Sequence, residues 1–169
     1  MMDLRKLSTE PRFAPAVVAL ASAMMLGGAL LFQYVGGLAP CVLCIYQRFP
    51  YAIAIALSLT ALALAGRKEG VWLSRMFVYA CGVLFLAGMA VAAFHVGVEQ
   101  HWWEGTAECG ITQAPRTLEE LRAMLEAQPV VRCDEVAWSL FGISMAGYNV
   151  MVSALLAAFC VIAPGRVRA

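Results

Sequence analysis

The sequence predicts an all-α membrane protein, a four-transmembrane-helix bundle that forms a single integral membrane domain over residues 1–169. Two features of composition predict it: 62% of the residues are hydrophobic and only 14% are charged, against roughly 45–50% and about 25% in soluble domains. The mean hydropathy of +0.77 agrees. In addition, four apolar runs each approach the ~20 residues that cross a bilayer as a helix.

The charge balance excludes other classes of protein. The net charge is +1, so the chain has no basic surface for nucleic acid and no acidic tail. Seven prolines and fourteen glycines in 169 residues do not make a low-complexity sequence. The six cysteines, at positions 41, 44, 81, 109, 133 and 160, are too unevenly spaced for a small secreted disulfide scaffold.

The predicted spans are residues 14–35, 46–65, 76–96 and 142–163. The first follows basic residues and contains Ala21-Ser22-Ala23, which resembles a signal-peptide cleavage site, but its apolar run continues to Val35. We therefore expect it to stay as an anchor that ends at a Gly36-Gly37 cap. In the second span, Pro50 removes a backbone hydrogen bond from any helix that begins near Cys44.

Small residues inside the spans predict close contacts between helices. Those expected at helix contacts are Gly27, Gly28, Ala29, Gly82 and Gly88. Cys81 and Cys160 lie in mid-span, where we interpret them as small buried apolar residues.

The distribution of lysine and arginine predicts the orientation. Eight of them lie in the N-terminus, the 66–75 loop and the C-terminus. The opposite side carries only Arg116, Arg122, Arg132 and, at its edge, Arg48, together with eight acidic residues. We expect both termini to be cytoplasmic and the loops 36–45 and 97–141 to face the oxidising side.

The second of these loops also carries a helix signal. Thr117-Leu-Glu-Glu120 is a capping box, and it precedes a one-sided apolar pattern that stops near Pro129. The apolar positions are Leu118, Leu121, Met124 and Leu125. This predicts a short amphipathic helix on the membrane surface or the top of the bundle, as a positioning element.

The segment 40–44 (PCVLC) places a C-x-x-C pair directly before the second span. Two thiols at this spacing can form a small reducible ring, and a helix N-terminus favours the thiolate. Half a zinc site and a structural bridge remain open as alternatives, whereas Ile45 in place of histidine excludes haem attachment.

Cys109 and Cys133 form a second pair in the acidic loop. A structural disulfide closing this 25-residue ring would stabilise the fold by about 3–4 kcal/mol. Because a C-x-x-C pair lies on the same side of the membrane, exchange of electrons between two dithiols is the alternative function.

Arg48 and His95 are the candidate polar partners of the thiols. Arg48 lies four residues after Cys44, so a continuous helix would place its guanidinium one turn deeper on the same face. There it could bind the carbonyl oxygen of a lipid-soluble acceptor, or simply extend to the interface. His95 ends the third span, as a proton-transfer group or as a wet interfacial residue. We interpret Trp102, Trp103 and Trp138 as an interfacial belt.

Taken together, these features resemble the disulfide bond formation protein B (DsbB) family of bacterial inner-membrane quinone reductases. The matching features are four spans, segment 41–48 (CVLCIYQR), a histidine ending the third span, a second cysteine pair, and segment 138–149 (WSLFGISMAGYN). Family members often carry an acid at the position of Gln47.

The resemblance implies that the chain reoxidises a periplasmic DsbA-type thiol oxidase and passes the electrons to ubiquinone or menaquinone. It implies catalytic roles for Cys41, Cys44, Cys109 and Cys133, with Cys109 forming the mixed disulfide and Cys133 exchanging with Cys41. The quinone would lie beside Cys44, Arg48 and His95, and no metal is implied. Which cysteines are paired at rest stays open.

Three other interpretations remain. Vitamin K epoxide reductase-like proteins also combine four helices, a C-x-x-C pair and quinone chemistry, but their C-x-x-C pair comes late in the bundle. A non-enzymatic four-span protein with structural disulfides and a metal-binding membrane protein are the others.

Overall fold

The structure is a computed structural model that describes residues 9–107, 109, 117–119, 122 and 131–166. Among these residues, four helical segments are long and apolar enough to span a membrane, as predicted: Phe13–Tyr34, Val42–Leu64, Val71–Glu99 and Met145–Arg166. The helices that the described part of the chain forms in these segments are α1 (Phe13–Tyr34), α2 (Val42–Tyr46), α3 (Arg48–Leu64), α4 (Val71–Glu99) and α5 (Met145–Ile162), with 3₁₀ turns at Lys68–Gly70 and Pro164–Arg166.

A two-glycine turn ends α1, as predicted. Gly36 donates its N–H to the Leu31 carbonyl at 3.0 Å, and Leu38 donates to the Phe32 carbonyl at 3.1 Å. Gly37 has φ +67°, a left-handed conformation that glycine adopts without steric cost. After this turn the chain continues into the C-x-x-C segment.

The second spanning segment is broken into α2 and α3 at Gln47. Pro50 has no N–H to donate to the Tyr46 carbonyl, so a regular helical bond is missing at this point. The disturbance predicted from Pro50 is therefore observed. It leaves α2 as a short separate helix whose first turn carries the thiol pair.

Helix α4 is longer than the apolar run that predicts it, because it extends from Val71 to Glu99 rather than over 76–96. A helix does not have to end where its apolar side chains end. The extra turn places Glu99 one turn beyond His95, on the same face.

A small β-hairpin, absent from the sequence predictions, precedes the last helix. Strands β1 (Ser139–Leu140) and β2 (Ile143–Ser144) pair antiparallel. The two residues between them, Phe141 and Gly142, have φ +52° and +77°, as a tight two-residue hairpin turn requires. Ser144 then caps α5 by accepting the Gly147 N–H at 3.2 Å, so that helix begins after the predicted position 142.

The small-residue contacts are confirmed at Gly82 and Gly88 in α4 and wrong at Gly27 and Gly28 in α1. A Cβ added to Gly82 would lie 3.1 Å from Cys160 Cβ, and one added to Gly88 would lie 3.2 Å from Pro50 Cγ. At Gly27 and Gly28 an added Cβ would meet nothing within 4 Å. Gly28 instead lines an open cavity, because the neighbouring helices do not close over this part of α1.

The helix core contains the two mid-span cysteines, Cys81 and Cys160, as predicted; both are fully buried. The predicted amphipathic helix over 117–129 lies outside the described residues apart from 117–119 and 122.

Candidate functional site

The C-x-x-C pair lies at the start of α2. Cys41 is the N-cap residue, with its sulfur accepting the Cys44 backbone N–H at 3.2 Å. The two sulfur atoms are 2.7 Å apart, within hydrogen-bond distance. Cys41 is buried and Cys44 is half-buried. The pair is thus ordered by the helix it initiates.

The environment of Cys41 favours its thiolate. The hydrogen bond from Cys44 and, more weakly, the one from His95 outweigh burial and lower the pKa of the Cys41 thiol from 9.0 to about 4. Stabilising a thiolate on one cysteine of a C-x-x-C pair is typical of disulfide exchange sites.

His95 contacts the thiol pair from α4. Its Nε2 lies 3.6 Å from Cys41 Sγ and 4.0 Å from Glu99 Oε1. On its other side, Nδ1 lies 2.8 Å from Gln47 Nε2. His95 is only 4% exposed, so the interpretation of a wet interfacial histidine is wrong.

Cys109 and Cys133 form a disulfide with Cα atoms 5.1 Å apart. Both lie in one buried cluster with Cys41, Leu43 and Val98, and half-buried Cys44 packs on its edge. The Cys133 backbone also interacts with His95. The structure therefore brings the two cysteine pairs together in one place.

A cavity of about 360 Å³ opens beside Cys44. Its walls come from α1, the α2–α3 segment, α4, the hairpin region and α5. Polar side chains at its wall include those of Cys44, Gln47, Arg48 and His95. Most of the remaining lining is apolar: Met24, Met25, Leu26, Phe32, Leu38, Trp138, Leu140 and Met145.

Arg48 reaches the same cavity as Cys44 even though the helix breaks between them. Its Nη1 donates to Gln33 Oε1 of α1 at 2.5 Å. Cys44, Arg48 and His95 thus all line this cavity. Cys41, Cys109 and Cys133 are not among the lining residues and lie in the buried cluster.

The three tryptophans have different environments. Trp103 stacks on Phe94 with ring centroids 5.9 Å apart and donates to the Phe94 carbonyl at 3.0 Å. Trp138 packs on Phe32 and lines the cavity. Trp102 is 69% exposed. Trp138 is thus part of the site as well as a candidate belt residue.

Sequence reasoning missed a polar network at the wall of the cavity. Asn149 of α5 donates to Gln47 Oε1 at 2.5 Å and accepts from the hydroxyl groups of Tyr51 and Ser153. One signal was available: Asn149 and Ser153, four residues apart in an apolar span, are costly in lipid and point to a specific partner.

Three potential metal ligands also meet here. The ligand atoms of Cys41, Cys44 and His95 lie within 4.8 Å of one another. A structural zinc site uses four protein ligands. Among the residues that the structure describes, these three therefore make an incomplete set of that kind.

The chain matches one protein family over most of its length. The family model described as disulfide bond formation protein DsbB matches residues 11–163. The chain is 30% identical over 160 residues to disulfide bond formation protein B of Haemophilus influenzae. The alignment covers 92% of this chain and 86% of that protein.

Two further relatives agree. Disulfide bond formation protein B of Verminephrobacter eiseniae is 32% identical over 171 residues, and the alignment covers 92% of this chain and 87% of that protein. The uncharacterized protein RP370 of Rickettsia prowazekii is 28% identical over 146 residues, and the alignment covers 85% of this chain and 81% of that protein. No solved structure gives a significant match. The chain belongs to the disulfide bond formation protein B family, and is thus a multi-pass inner-membrane oxidoreductase that forms disulfide bonds.

Proposed function

We propose that this protein reoxidises a periplasmic DsbA-type thiol oxidase and transfers the electrons to membrane quinone. The observation that carries the proposal is the position of Cys44. Its sulfur lies 2.7 Å from Cys41, beside the Cys109–Cys133 disulfide, and the same residue lines an apolar cavity. One residue thus connects thiol exchange with a site for a lipid-soluble acceptor.

The orientation follows from the charge distribution. Both cysteine pairs belong to the loops 36–45 and 97–141 or to the helix turn beside them, which is the side poor in lysine and arginine. We assign this side to the periplasm and both termini to the cytoplasm. A periplasmic partner then meets the disulfide directly.

The exchange begins at Cys109. The partner's thiolate bonds to Cys109 Sγ, the Cys109–Cys133 bond breaks, and Cys133 leaves as a thiolate. The exposures support this order, because Cys109 is 8% exposed and Cys133 is fully buried. The attacked sulfur therefore belongs to the more exposed residue of the disulfide.

Cys133 then attacks Cys41 of the oxidised Cys41–Cys44 pair, and Cys44 leaves as a thiolate at the cavity wall. The shared cluster supports this step because Cys133 and Cys41 pack in it together. The partner's second thiolate then bonds to the partner's sulfur in the mixed disulfide, and Cys109 leaves as a thiolate, so the two thiols of the partner have become a disulfide. Cys109 bonds to Cys133, and Cys41 leaves as a thiolate beside Cys44. The two electrons now reside on the Cys41–Cys44 pair and leave through Cys44, while the two protons of the partner's thiols are released separately.

The cavity fits a quinone. Its volume of about 360 Å³ lies in the range of roughly 300–1,000 Å³ found for small-molecule sites, and its apolar lining suits a ring with a lipid tail. A bound quinone supplies the two-electron, two-proton acceptor. Arg48, held by Gln33, presents guanidinium donors to a ring oxygen, and His95 completes the polar wall.

A coupled assay tests the proposal. Purified protein is mixed with a reduced DsbA-type protein and short-tail ubiquinone, or a menaquinone analogue, while quinone absorbance is followed. We expect turnover by the wild type and by the matched control Cys81→Ala, whose thiol lies in the helix core. Cys44→Ser should show none.

Two results would contradict the proposal. Folded wild-type protein with intact disulfides but no turnover with either quinone would favour a structural four-span protein. Stoichiometric zinc in the purified sample would favour a metal-binding protein.

A further inference from the structure

The side-chain amide of Gln47 is buried and hydrogen-bonded through both of its ends. The side chain is 6% exposed. Its Nε2 lies 3.2 Å from the Leu43 carbonyl and 2.8 Å from His95 Nδ1, and its Oε1 accepts from Asn149 Nδ2. Gln47 thus connects the backbone of α2 with α4 and α5.

The Leu43 carbonyl determines which way this amide points. A carbonyl oxygen can only accept, so the NH₂ end of Gln47 faces it and the oxygen end faces Asn149. The same NH₂ group faces His95 Nδ1, which must therefore accept a hydrogen bond. A neutral imidazole that accepts at Nδ1 carries its proton on Nε2.

Asn149 of α5 is compatible with the same direction. Its Oδ1 accepts from Tyr51 Oη and from Ser153 Oγ, the latter at 3.2 Å, and its Nδ2 donates to Gln47 Oε1 at 2.5 Å. Turning the Gln47 amide would place two oxygen atoms against each other at Leu43 and would require the Asn149 amide to turn as well. In a buried setting, unsatisfied polar groups of this kind are costly.

We propose that Gln47 and Asn149 are positioning residues that hold His95 as the tautomer with its proton on Nε2, directed at Cys41. Nε2 lies 3.6 Å from Cys41 Sγ and 4.0 Å from Glu99 Oε1, the carboxylate that faces it from the same helix. Cys44 is the other titratable group beside Cys41.

The role of this N–H in turnover rests on the proposed function. To restore the loop disulfide, the Cys109 thiolate bonds to Cys133, the Cys41–Cys133 bond breaks, and Cys41 leaves as a thiolate. A fixed N–H donor then meets the developing charge on Cys41. The tautomer itself requires neither partner nor quinone.

Gln47→Glu tests most directly whether the Gln47 amide determines the His95 tautomer. It keeps the shape of the side chain and an acceptor for Asn149, but replaces the donor towards His95 Nδ1 with an acceptor. We expect the His95 proton to move to Nδ1. Ser153→Ala is the matched control, because it removes a bond at the far end of the network and leaves the Leu43 anchor intact.

The experiment is nitrogen NMR of protein labelled with ¹⁵N-histidine, both cysteine pairs oxidised, in lipid nanodiscs at pH 8. The chain has two histidines, and exposed His101 is the internal reference. We expect the His95 Nδ1 signal at the position of an unprotonated nitrogen in wild type and Ser153→Ala, and the two His95 nitrogens exchanged in Gln47→Glu.

A wild-type spectrum with a proton on Nδ1, alone or on both nitrogens, would overturn the proposal, and so would a folded Gln47→Glu protein with the wild-type pattern. The wild-type spectrum decides the tautomer even if Gln47→Glu fails to fold. An inactive protein with the expected spectrum would refute the proposed function and not the positioning role.

Discussion

The two cysteine pairs lie in one cluster but are held in different ways. Cys41 and Cys44 belong to the first turn of a helix and lie beside a buried histidine from another. Cys109 and Cys133 belong to loop segments, joined by a backbone bond from the Cys133 N–H to the Cys109 carbonyl at 3.3 Å. One pair is ordered by spanning helices, the other mainly by its own disulfide and the cluster.

The charges near the two pairs differ as well. Beside Cys133, Arg132 and Asp134 pair on the surface, and the Arg132 guanidinium lowers the pKa of the Asp134 carboxyl to about 2. These exposed charges largely neutralise each other. At Cys41 the polar partners are buried and directed at the sulfur. The difference suggests a helix pair adapted to thiolate chemistry and a loop pair adapted to meeting a partner.

The strongest test of this division is Arg48→Ala. Arg48 contacts the cavity and lies outside the disulfide cluster. Losing its donors should therefore lower kcat/KM for quinone by about 100-fold, the order of magnitude lost with one preorganised hydrogen-bond donor. Disulfide exchange with the partner, measured without quinone, should change little. Equal losses in both assays would contradict the separation.

Arg48→Lys is the matched control. It keeps the positive charge but not the planar fork of donors, so its quinone kcat/KM should fall between those of the wild type and Arg48→Ala.

Filling the cavity should have the next largest effect. An added side chain at Gly28 has space around it and lines the cavity. Gly28→Leu should therefore raise KM for quinone by about 10-fold, roughly 1.4 kcal/mol, without unfolding the bundle. Gly27→Leu, also unobstructed but outside the lining, should keep the wild-type KM. The same KM in both variants would argue against the cavity as the quinone site.

The titration of Cys41 should show a smaller difference between the helix pair and an ordinary thiol. Because its pKa lies at about 4, the reduced pair should keep its thiolate absorbance at 240 nm from pH 8 down to pH 6. An ordinary thiol with a pKa of ~8.5 would be almost fully protonated at pH 6. Above about pH 4 the ionised Cys41 thiolate stabilises the reduced form of the C-x-x-C pair. The Cys41–Cys44 disulfide is therefore easier to reduce.

Two variants separate the causes of that pKa. Cys44→Ala should raise the pKa of Cys41 more than His95→Ala does, because the hydrogen bond from Cys44 has the larger influence. Loss of the 240 nm signal below pH 8 in reduced wild-type protein would contradict a stabilised thiolate.

Much of the architecture could be predicted because length and hydropathy determine which segments can cross a bilayer. The break before Pro50 followed from its missing N–H, and the glycine turn after α1 followed from Gly36-Gly37. The Phe141-Gly142 hairpin was missed because a phenylalanine with positive φ is rare, so the pair does not have the usual turn composition.

The site could be predicted only in part. Spacing indicated which residues carry the chemistry, but the resting Cys109–Cys133 pairing and the contact between the two pairs depend on how the loops fold back. The Gln47–Asn149 bond joins residues 102 positions apart and depends on how two helices are rotated about their axes. The cavity beside Gly28 arises where neighbouring helices fail to close, which no local pattern records.

A single turnover of Cys44→Ser tests whether the loop pair reacts with the partner while the helix pair reduces quinone. The variant, with its loop disulfide intact, is mixed rapidly with reduced DsbA-type protein and quinone, and acid-quenched samples are analysed for mixed disulfides. We predict a disulfide between Cys109 and the partner at near the wild-type rate, with no quinone reduced. Quinone reduction by this variant, or failure of Cys109 to react, would contradict the division of roles between the two pairs.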